Sequence, residues 1–193
     1  AFVDVRRGRF VLARDRLGIK PLYYYDDGGR FAFASELGAL RRIPGLDLAP
    51  DATAYYDFLT YGFVPAPKTI FRRARKLRPG HWLERKGGAT TVTRYWEPRF
   101  APESGRSESE WLDELEALLA RVVRDHLVSD VPVGMFLSGG VDSGLTLAHA
   151  NRAASEPLRA FTISFPERRD DEASDARRVA AQLGSPIAVG EFS

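Results

Sequence analysis

The segment most informative about the architecture reads Val131-Pro132-Val133-Gly134-Met135-Phe136-Leu137-Ser138-Gly139-Gly140-Val141-Asp142-Ser143. It begins with an almost uninterrupted apolar run over 131–137, which is typical of a strand buried on both faces. Two adjacent glycines then interrupt the run, and a helical pattern follows over 144–154. The order of strand, glycine-rich loop and helix predicts the first part of a parallel α/β sheet.

The same cycle continues towards the C-terminus. The periodicity predicts a strand, a helix and the start of a further strand, over 158–165, 171–183 and 187–192 respectively. Before the first strand, Ser107 and Glu110 have the spacing of a capping box, and apolar residues at helical spacing predict a helix over 108–128. Strands that alternate with helices indicate a parallel sheet.

The N-terminal half has a different pattern, in which short apolar segments are separated by turns. Strands are predicted over 2–5, 9–13, 22–25, 31–34, 81–85 and 90–96. Short helices are predicted over 36–41 and 51–61, the second with Asp51 as its N-cap. The segment Arg14-Asp15-Arg16 is interpreted as a source of surface or intradomain ion pairs. The pattern as a whole predicts an antiparallel sheet region.

A boundary between two domains is predicted over 97–107. This segment is rich in proline, glycine and serine, and no periodic apolar pattern crosses it. We therefore expect one domain over 1–100 and a second over 107–193.

Composition excludes several classes of protein. No run of about eighteen apolar residues occurs, and the first residues lack a signal-peptide pattern, so we expect no membrane association and a cytoplasmic location. The net charge of +2 arises from mixed signs, which argues against nucleic acid as a partner. The chain contains no cysteine, and its three histidines are scattered, so any metal would be held by oxygen ligands.

The glycine-rich loop has the composition of a phosphate site. Unpaired N–H groups at a helix N-terminus favour an anion, and Gly139 and Gly140 let the backbone approach a ligand closely. The hydroxyl groups of Ser138 and Ser143 can donate further hydrogen bonds to phosphate oxygens. Asp142 has the wrong charge for phosphate itself, but a carboxylate suits Mg²⁺, which binds carboxylate and phosphate oxygens.

The sequence of this loop does not match the motifs of other nucleotide-binding or catalytic loops. The chain has no Gly-Lys pair for a Walker A loop, and the glycine spacing of a dinucleotide-binding fingerprint is absent. Phe136 stands where a serine-hydrolase elbow needs glycine. The structural alternative is a tight turn in which Asp142 and Ser143 only cap the helix. The complete six-residue string between a strand and a helix favours the phosphate site.

The sequence here resembles the pyrophosphate-loop segment of glutamine-hydrolysing asparagine synthetases. The resemblance includes 129–143 and recurs over 12–24, 34–37, 62–71 and 77–81. It implies the C-terminal part of an Ntn-type antiparallel class II glutamine amidotransferase domain with its connecting segment, over 1–100. It also implies the N-terminal part of a parallel-sheet α/β ATP-pyrophosphatase domain, similar to the adenine nucleotide alpha hydrolases, over 107–193. The expected fold class is thus α+β followed by α/β, in an internal fragment of a longer enzyme.

The resemblance implies an activity and a set of ligands. The intact enzyme would adenylate the β-carboxylate of L-aspartate with ATP and amidate it with ammonia from L-glutamine, giving L-asparagine, AMP and pyrophosphate. The expected cofactors are ATP and Mg²⁺. The resemblance leaves open whether the intact enzyme forms a homodimer. The resemblance assigns ATP binding to Leu137, Ser138, Gly139, Gly140, Val141, Asp142, Ser143 and Ile163, with Asp142 also as the metal ligand. Leu137 and Ile163 would flank the adenine, and plain core packing is an equally weighted alternative for both.

Departures from the family pattern keep other functions open. Gly144 stands where the family often has serine, and 185–188 replaces a histidine-containing stretch. Related ligases of antibiotic, lasso-peptide and exopolysaccharide pathways resemble the same loop and activate other carboxylates. A nucleotide-binding remnant without catalysis is a further alternative. The family's N-terminal catalytic cysteine has no counterpart in this chain, so the glutaminase residues are unknown.

Overall fold

Short antiparallel strands build the first of two units, Ala1–Ala101. The computed structural model describes residues 1–103, 105–165, 167 and 171–192. The strands of the first unit are β1 (Phe2–Asp4), β2 (Arg9–Ala13), β3 (Tyr23–Asp26), β4 (Phe31–Ala34), β5 (Ala74–Lys76), β6 (His81–Lys86) and β7 (Ala89–Arg94). Its helices are α1 (Leu37–Leu40) and α2 (Ala52–Tyr61). The strands form two antiparallel sheets, ordered β1-β2-β6-β7 and β4-β3-β5.

The predicted antiparallel region is confirmed, with one strand added. Asp51 is the N-cap of α2, and its side chain accepts a hydrogen bond from the Thr53 N–H, as predicted. The strand β5 lies in a basic run and was not predicted. Its three residues show no alternation of apolar and polar side chains, and their strand geometry comes from antiparallel pairing with β3.

Arg14 binds backbone groups of the first unit, and among the residues that the structure describes, the ion pairs predicted for Arg14, Asp15 and Arg16 do not form. Its guanidinium donates to the carbonyl oxygens of Lys20 (3.0 Å), Leu77 (2.7 Å) and Gly18 (2.8 Å). The neighbouring Asp15 carboxylate accepts from two backbone N–H groups of the same loop, and the bond from Lys20 is the main cause that lowers the pKa of Asp15. Arg14 and Asp15 therefore stabilise loop backbone.

The second unit, Pro102–Ser193, is a parallel α/β arrangement. Its elements are α3 (Glu108–His126), β8 (Gly134–Phe136), α4 (Val141–Ala153), β9 (Arg159–Ser164), α5 (Ala173–Gln182) and β10 (Ile187–Glu191). The strands pair in parallel in the order β10-β9-β8. The capping box at the start of α3 is confirmed, since Ser107 and Glu110 exchange both hydrogen bonds. Ser104, in the predicted linker, lies outside the described residues.

Two sequence expectations for the second unit are wrong. Helix α4 begins at Val141 instead of 144, because Gly140 is its N-cap and the Gly144 N–H donates to the Gly140 carbonyl (3.0 Å). The sheet is also not buried on both faces in the described part of the chain. Along β9 buried and exposed residues alternate, and Phe136 on β8 is 77% exposed. The helices pack on the buried face, in a core of Val123, Leu137, Leu147, Ala150, Leu158, Ala160, Ala176 and Ala180.

In the described part of the chain, no helix has both the length and the apolar character needed to cross a membrane.

Asn151 fastens three elements of the second unit to each other. Its side-chain amide donates to the Leu183 carbonyl (3.0 Å) and to the Ser185 hydroxyl (2.9 Å), and its oxygen accepts from the Leu158 N–H (2.9 Å). These bonds join the C-terminal part of α4 to the end of α5 and the start of β9. Because Leu158 and Ser185 are buried, the partners have few other sources of hydrogen bonds.

We predict that Asn151→Leu lowers the free energy of unfolding by about 2–4 kcal/mol, because it leaves partly buried polar groups unpaired. The neighbouring variant Arg152→Ala is the control. Arg152 is exposed, and the loss of its ion pair with Glu116 should cost about 0.5 kcal/mol or less. Chemical denaturation of the two variants measures both effects, and equal losses would contradict the bridging role of Asn151.

Candidate nucleotide site

The glycine-rich loop connects the end of β8 to the N-terminus of α4. Gly140 has an extended backbone (φ −76°, ψ 165°) and serves as the N-cap without a side-chain hydrogen bond. The first N–H groups of α4 have no intrahelical acceptor, as at every helix start. Together with the helix dipole, these groups favour an anion at this position. Sequence and structure therefore agree on a strand, loop and helix N-terminus in this order.

Two serine hydroxyl groups meet inside the loop. Ser138 Oγ and Ser143 Oγ are 3.0 Å apart, and the Ser138 N–H donates to Ser143 Oγ (3.4 Å). The Ser143 hydroxyl donates to the Gly140 carbonyl (3.1 Å), and the Gly140 N–H donates to Ser138 Oγ (3.4 Å). These bonds close the loop on itself and bring two hydroxyl groups together at the helix N-terminus, in an exposed part of the molecule.

Gly139 fits its position because it has no side chain. Its φ of +78° lies in the left-handed region, which L-residues with a Cβ rarely adopt. A Cβ at this position would also lie 2.7 Å from the Ala176 nitrogen and 2.7 Å from Asp175 Cβ. The loop backbone is therefore packed directly against the first turn of α5.

Asp142 lies in the first turn of α4, and its residue is exposed. Its backbone carbonyl accepts a hydrogen bond from the Thr146 hydroxyl (2.8 Å), and its carboxylate is available to solvent. Among the described residues, no group of three or more His, Asp or Glu side chains could hold a metal ion. An exposed carboxylate at the N-terminus of a helix has the chemistry of a Mg²⁺ ligand, because Mg²⁺ prefers oxygen ligands and binds through few protein carboxylates.

The remaining predicted residues are not brought together as a group. Leu137 is 1% exposed, and its side chain belongs to the core beneath the helices. Ile163 is 51% exposed and belongs to the exposed set of residues along β9. Val141 is 84% exposed at the start of α4. Of these three residues, Ile163 and Val141 have exposed apolar side chains, and Leu137 does not.

Asp171 precedes α5, whose first turn packs against Gly139, and its contacts were not predicted from the sequence. Its carboxylate accepts hydrogen bonds from the Ser164 hydroxyl (2.8 Å), the Phe165 N–H (3.1 Å) and the Ala173 N–H (3.4 Å). The bond from Ser164, followed by that from Phe165, lowers the pKa of Asp171. The sequence placed Asp171 inside a helix that begins only at Ala173. An Asp two residues before a helix start is the signal that could have identified this role.

Two family models match the chain, one in each of the two structural units. A family model described as "Glutamine amidotransferase domain" matches residues 1–96, and one described as "Asparagine synthase" matches residues 114–191. Asparagine synthetase [glutamine-hydrolyzing] 1 of Bacillus subtilis is 34% identical over an alignment of 187 positions, and the alignment covers 95% of this chain and 29% of that protein.

The chain belongs to the glutamine-hydrolysing asparagine synthetase family.

Two further proteins are similar to most of this chain. Asparagine synthetase [glutamine-hydrolyzing] 3 of Bacillus subtilis is 32% identical over an alignment of 169 positions, and the alignment covers 85% of this chain and 27% of that protein. Amidase chyE of Penicillium rubens is 29% identical over an alignment of 221 positions, and the alignment covers 97% of this chain and 30% of that protein. The chain thus spans less than a third of the length of these relatives.

The serine-glycine loop, 138–143, lies inside the region that matches the asparagine synthase model.

We predict different effects for alanine at the two adjacent glycines of the loop. Gly139→Ala should lower the free energy of unfolding by about 2–4 kcal/mol, because it combines a left-handed φ with a clash against the α5 backbone. Gly140→Ala should cost less than about 1 kcal/mol. The Gly140 backbone is extended, and a Cβ at this position would have Ser138 Oγ as its nearest neighbour, at 3.4 Å. Denaturation of both variants tests this difference. Equal stabilities would show that the loop does not pack tightly against α5.

Proposed function

We propose that this chain provides part of the ATP site of a glutamine-dependent amide ligase that converts L-aspartate to L-asparagine. The observation that carries the proposal is the pair of hydroxyl groups, Ser138 and Ser143, held 3.0 Å apart at the N-terminus of α4. Backbone N–H groups, a helix dipole and two hydroxyl groups at one exposed position form a site for a polyphosphate. The family membership supports ATP as that polyphosphate.

The role of the loop is to hold the pyrophosphate part of ATP. Hydrogen-bond donors fixed before the reaction stabilise negative charge that grows on a leaving group, and loss of one such donor typically costs about 3 kcal/mol of barrier. Ser138 and Ser143 would supply hydroxyl donors, and Gly139 and Gly140 would supply backbone N–H groups. Asp142 would hold Mg²⁺, which when bound neutralises phosphate charge. Ile163 and Val141 would contact the nucleoside, and Leu137 would support the loop from the core.

The first unit would belong to the domain that releases ammonia from L-glutamine. The match of residues 1–96 to a glutamine amidotransferase domain supports this assignment. We propose that residues 1–100 are the C-terminal portion of an Ntn-type class II domain with its connecting segment, and that 107–193 are the N-terminal portion of the ATP-binding domain. Their antiparallel and parallel sheets respectively are consistent with these two classes of domain.

A second candidate is an amide ligase for another carboxylate. The similarity to amidase chyE extends over 97% of the chain, and that protein is named as an amidase and not as an asparagine synthetase, so similarity over this part of the chain does not select aspartate. Pyrophosphate exchange into ATP, measured in the full-length protein with a panel of carboxylic acids, separates the two candidates. Exchange that depends on L-aspartate supports asparagine formation, and exchange with another acid alone supports the second candidate.

We predict that Asp142→Asn abolishes ATP–pyrophosphate exchange in the full-length protein and leaves the release of glutamate from glutamine unchanged. The amide has no negative charge with which to hold Mg²⁺, and the other domain does not use the metal. Asp125→Asn is the control, because Asp125 is an exposed carboxylate on α3 and its loss should leave both activities unchanged. Exchange at the wild-type rate in the Asp142 variant would remove Asp142 from the metal site.

We also predict that the 193-residue chain alone releases no glutamate from glutamine. It contains no cysteine, and its first residue, Ala1, has no nucleophilic side chain. A coupled glutamate assay on the purified chain checks this prediction. Glutamate release above the background hydrolysis of glutamine would mean that another residue serves as the nucleophile.

A further inference from the structure

We propose that Asp171 is a positioning residue for the nucleotide loop, because it fixes the start of α5, against which Gly139 is packed. This inference rests on the proposed function of the loop in ATP binding. It assigns a role to a side chain outside the serine-glycine loop, on a connection between a strand and a helix further along the chain.

The first step is the bond set of Asp171. Its carboxylate joins the end of β9, through the Ser164 hydroxyl and the Phe165 N–H, to the first residue of α5, through the Ala173 N–H. Ser164 and Ala173 are 9% and 5% exposed, so both contacts are made at the edge of the core. A single carboxylate therefore links the sheet to the beginning of the helix.

The start of α5 depends on Asp171 for its cap. Glu172 occupies the N-cap position, but its side chain makes no capping hydrogen bond. The bond from the Ala173 N–H to Asp171 therefore takes the place of a usual N-cap. Without this bond, the first turn of α5 would retain its buried alanines but lose its polar connection to β9.

The second step is the contact between this turn and the loop. A Cβ at Gly139 would lie 2.7 Å from the Ala176 nitrogen and from Asp175 Cβ. These atoms belong to the first turn of α5, which starts at Ala173. Because loop and helix touch without intervening side chains, a displacement of this turn changes the space available to the Gly139 backbone. The donors of the loop would then be displaced from the phosphate oxygens.

The test compares four variants of the full-length protein. Equilibrium binding of ATP with Mg²⁺, ATP–pyrophosphate exchange and glutaminase activity are measured for each. Asp171→Ala removes all three hydrogen bonds and should weaken ATP binding about tenfold, because small displacements of binding groups have large effects. Ser164→Ala removes only the 2.8 Å bond and should have a smaller effect, about threefold. Glutaminase activity should not change in either variant.

Two conservative variants separate positioning from a general loss of stability. Asp171→Asn keeps an oxygen that can accept from the two N–H groups, and its ATP affinity should return to within about twofold of the wild type. Glu172→Gln changes an exposed carboxylate on the next residue and should bind ATP as the wild type does. Thermal denaturation is followed in parallel, so that affinities are compared at a temperature where every variant is folded.

The outcomes distinguish the inference from the proposed function. Weaker ATP binding by Asp171→Ala and Ser164→Ala, with recovery in Asp171→Asn, supports the inference. If the alanine variants bind ATP as tightly as the wild type, the inference is overturned and the ATP site stands. If Asp171→Ala does not fold, the ATP affinity of Ser164→Ala is the test. Weaker binding supports the inference, and wild-type affinity overturns it. If the wild-type protein binds no ATP, the proposed function itself fails.

Discussion

The second unit depends on one close approach, the contact of the loop backbone with the first turn of α5. At Gly139 there is no room for a Cβ, and the backbone lies in the left-handed region. Both conditions select glycine, and each would be difficult to meet with any other residue. The contact joins the first strand–loop–helix sequence to the second, so that the position of one helix start defines the position of the other. This contact therefore constrains the backbone conformation of the candidate phosphate site.

Much of this architecture is encoded by local sequence signals. The alternation of strands and helices in the second unit, the capping box of α3 and the N-cap of α2 follow from patterns that extend over short stretches of sequence. The loop between β8 and α4 was identified because glycine, serine and aspartate stand together between an apolar run and a helical run. The physical causes are local in each case. Side-chain capping acts between residues a few positions apart, and apolar periodicity acts within a single helix or strand.

The features that the sequence did not reveal depend on tertiary contacts. The strand β5 has no pattern of its own and exists through its pairing with β3. The role of Asp171 depends on Ser164, seven residues earlier, whose hydroxyl group reaches it only when the strand and helix are folded. The apolar run before the loop suggested a strand covered on both faces, but alternate residues of the neighbouring β9 are exposed. Hydrophobicity shows that a segment can be buried, and it does not show which face has a partner.

The mutual hydrogen bonds of Ser138 and Ser143 have a consequence for ligand selectivity. Within the loop these hydroxyl groups already have partners, in each other and in the Gly140 carbonyl and N–H groups. A ligand that recruits them must therefore replace existing bonds, and a neutral acceptor gains little from such an exchange. A charged phosphate oxygen forms a hydrogen bond roughly twice as strong as a neutral acceptor does, so the exchange becomes favourable. If the loop binds ATP as proposed, we therefore expect it to favour a charged phosphate oxygen over a neutral acceptor.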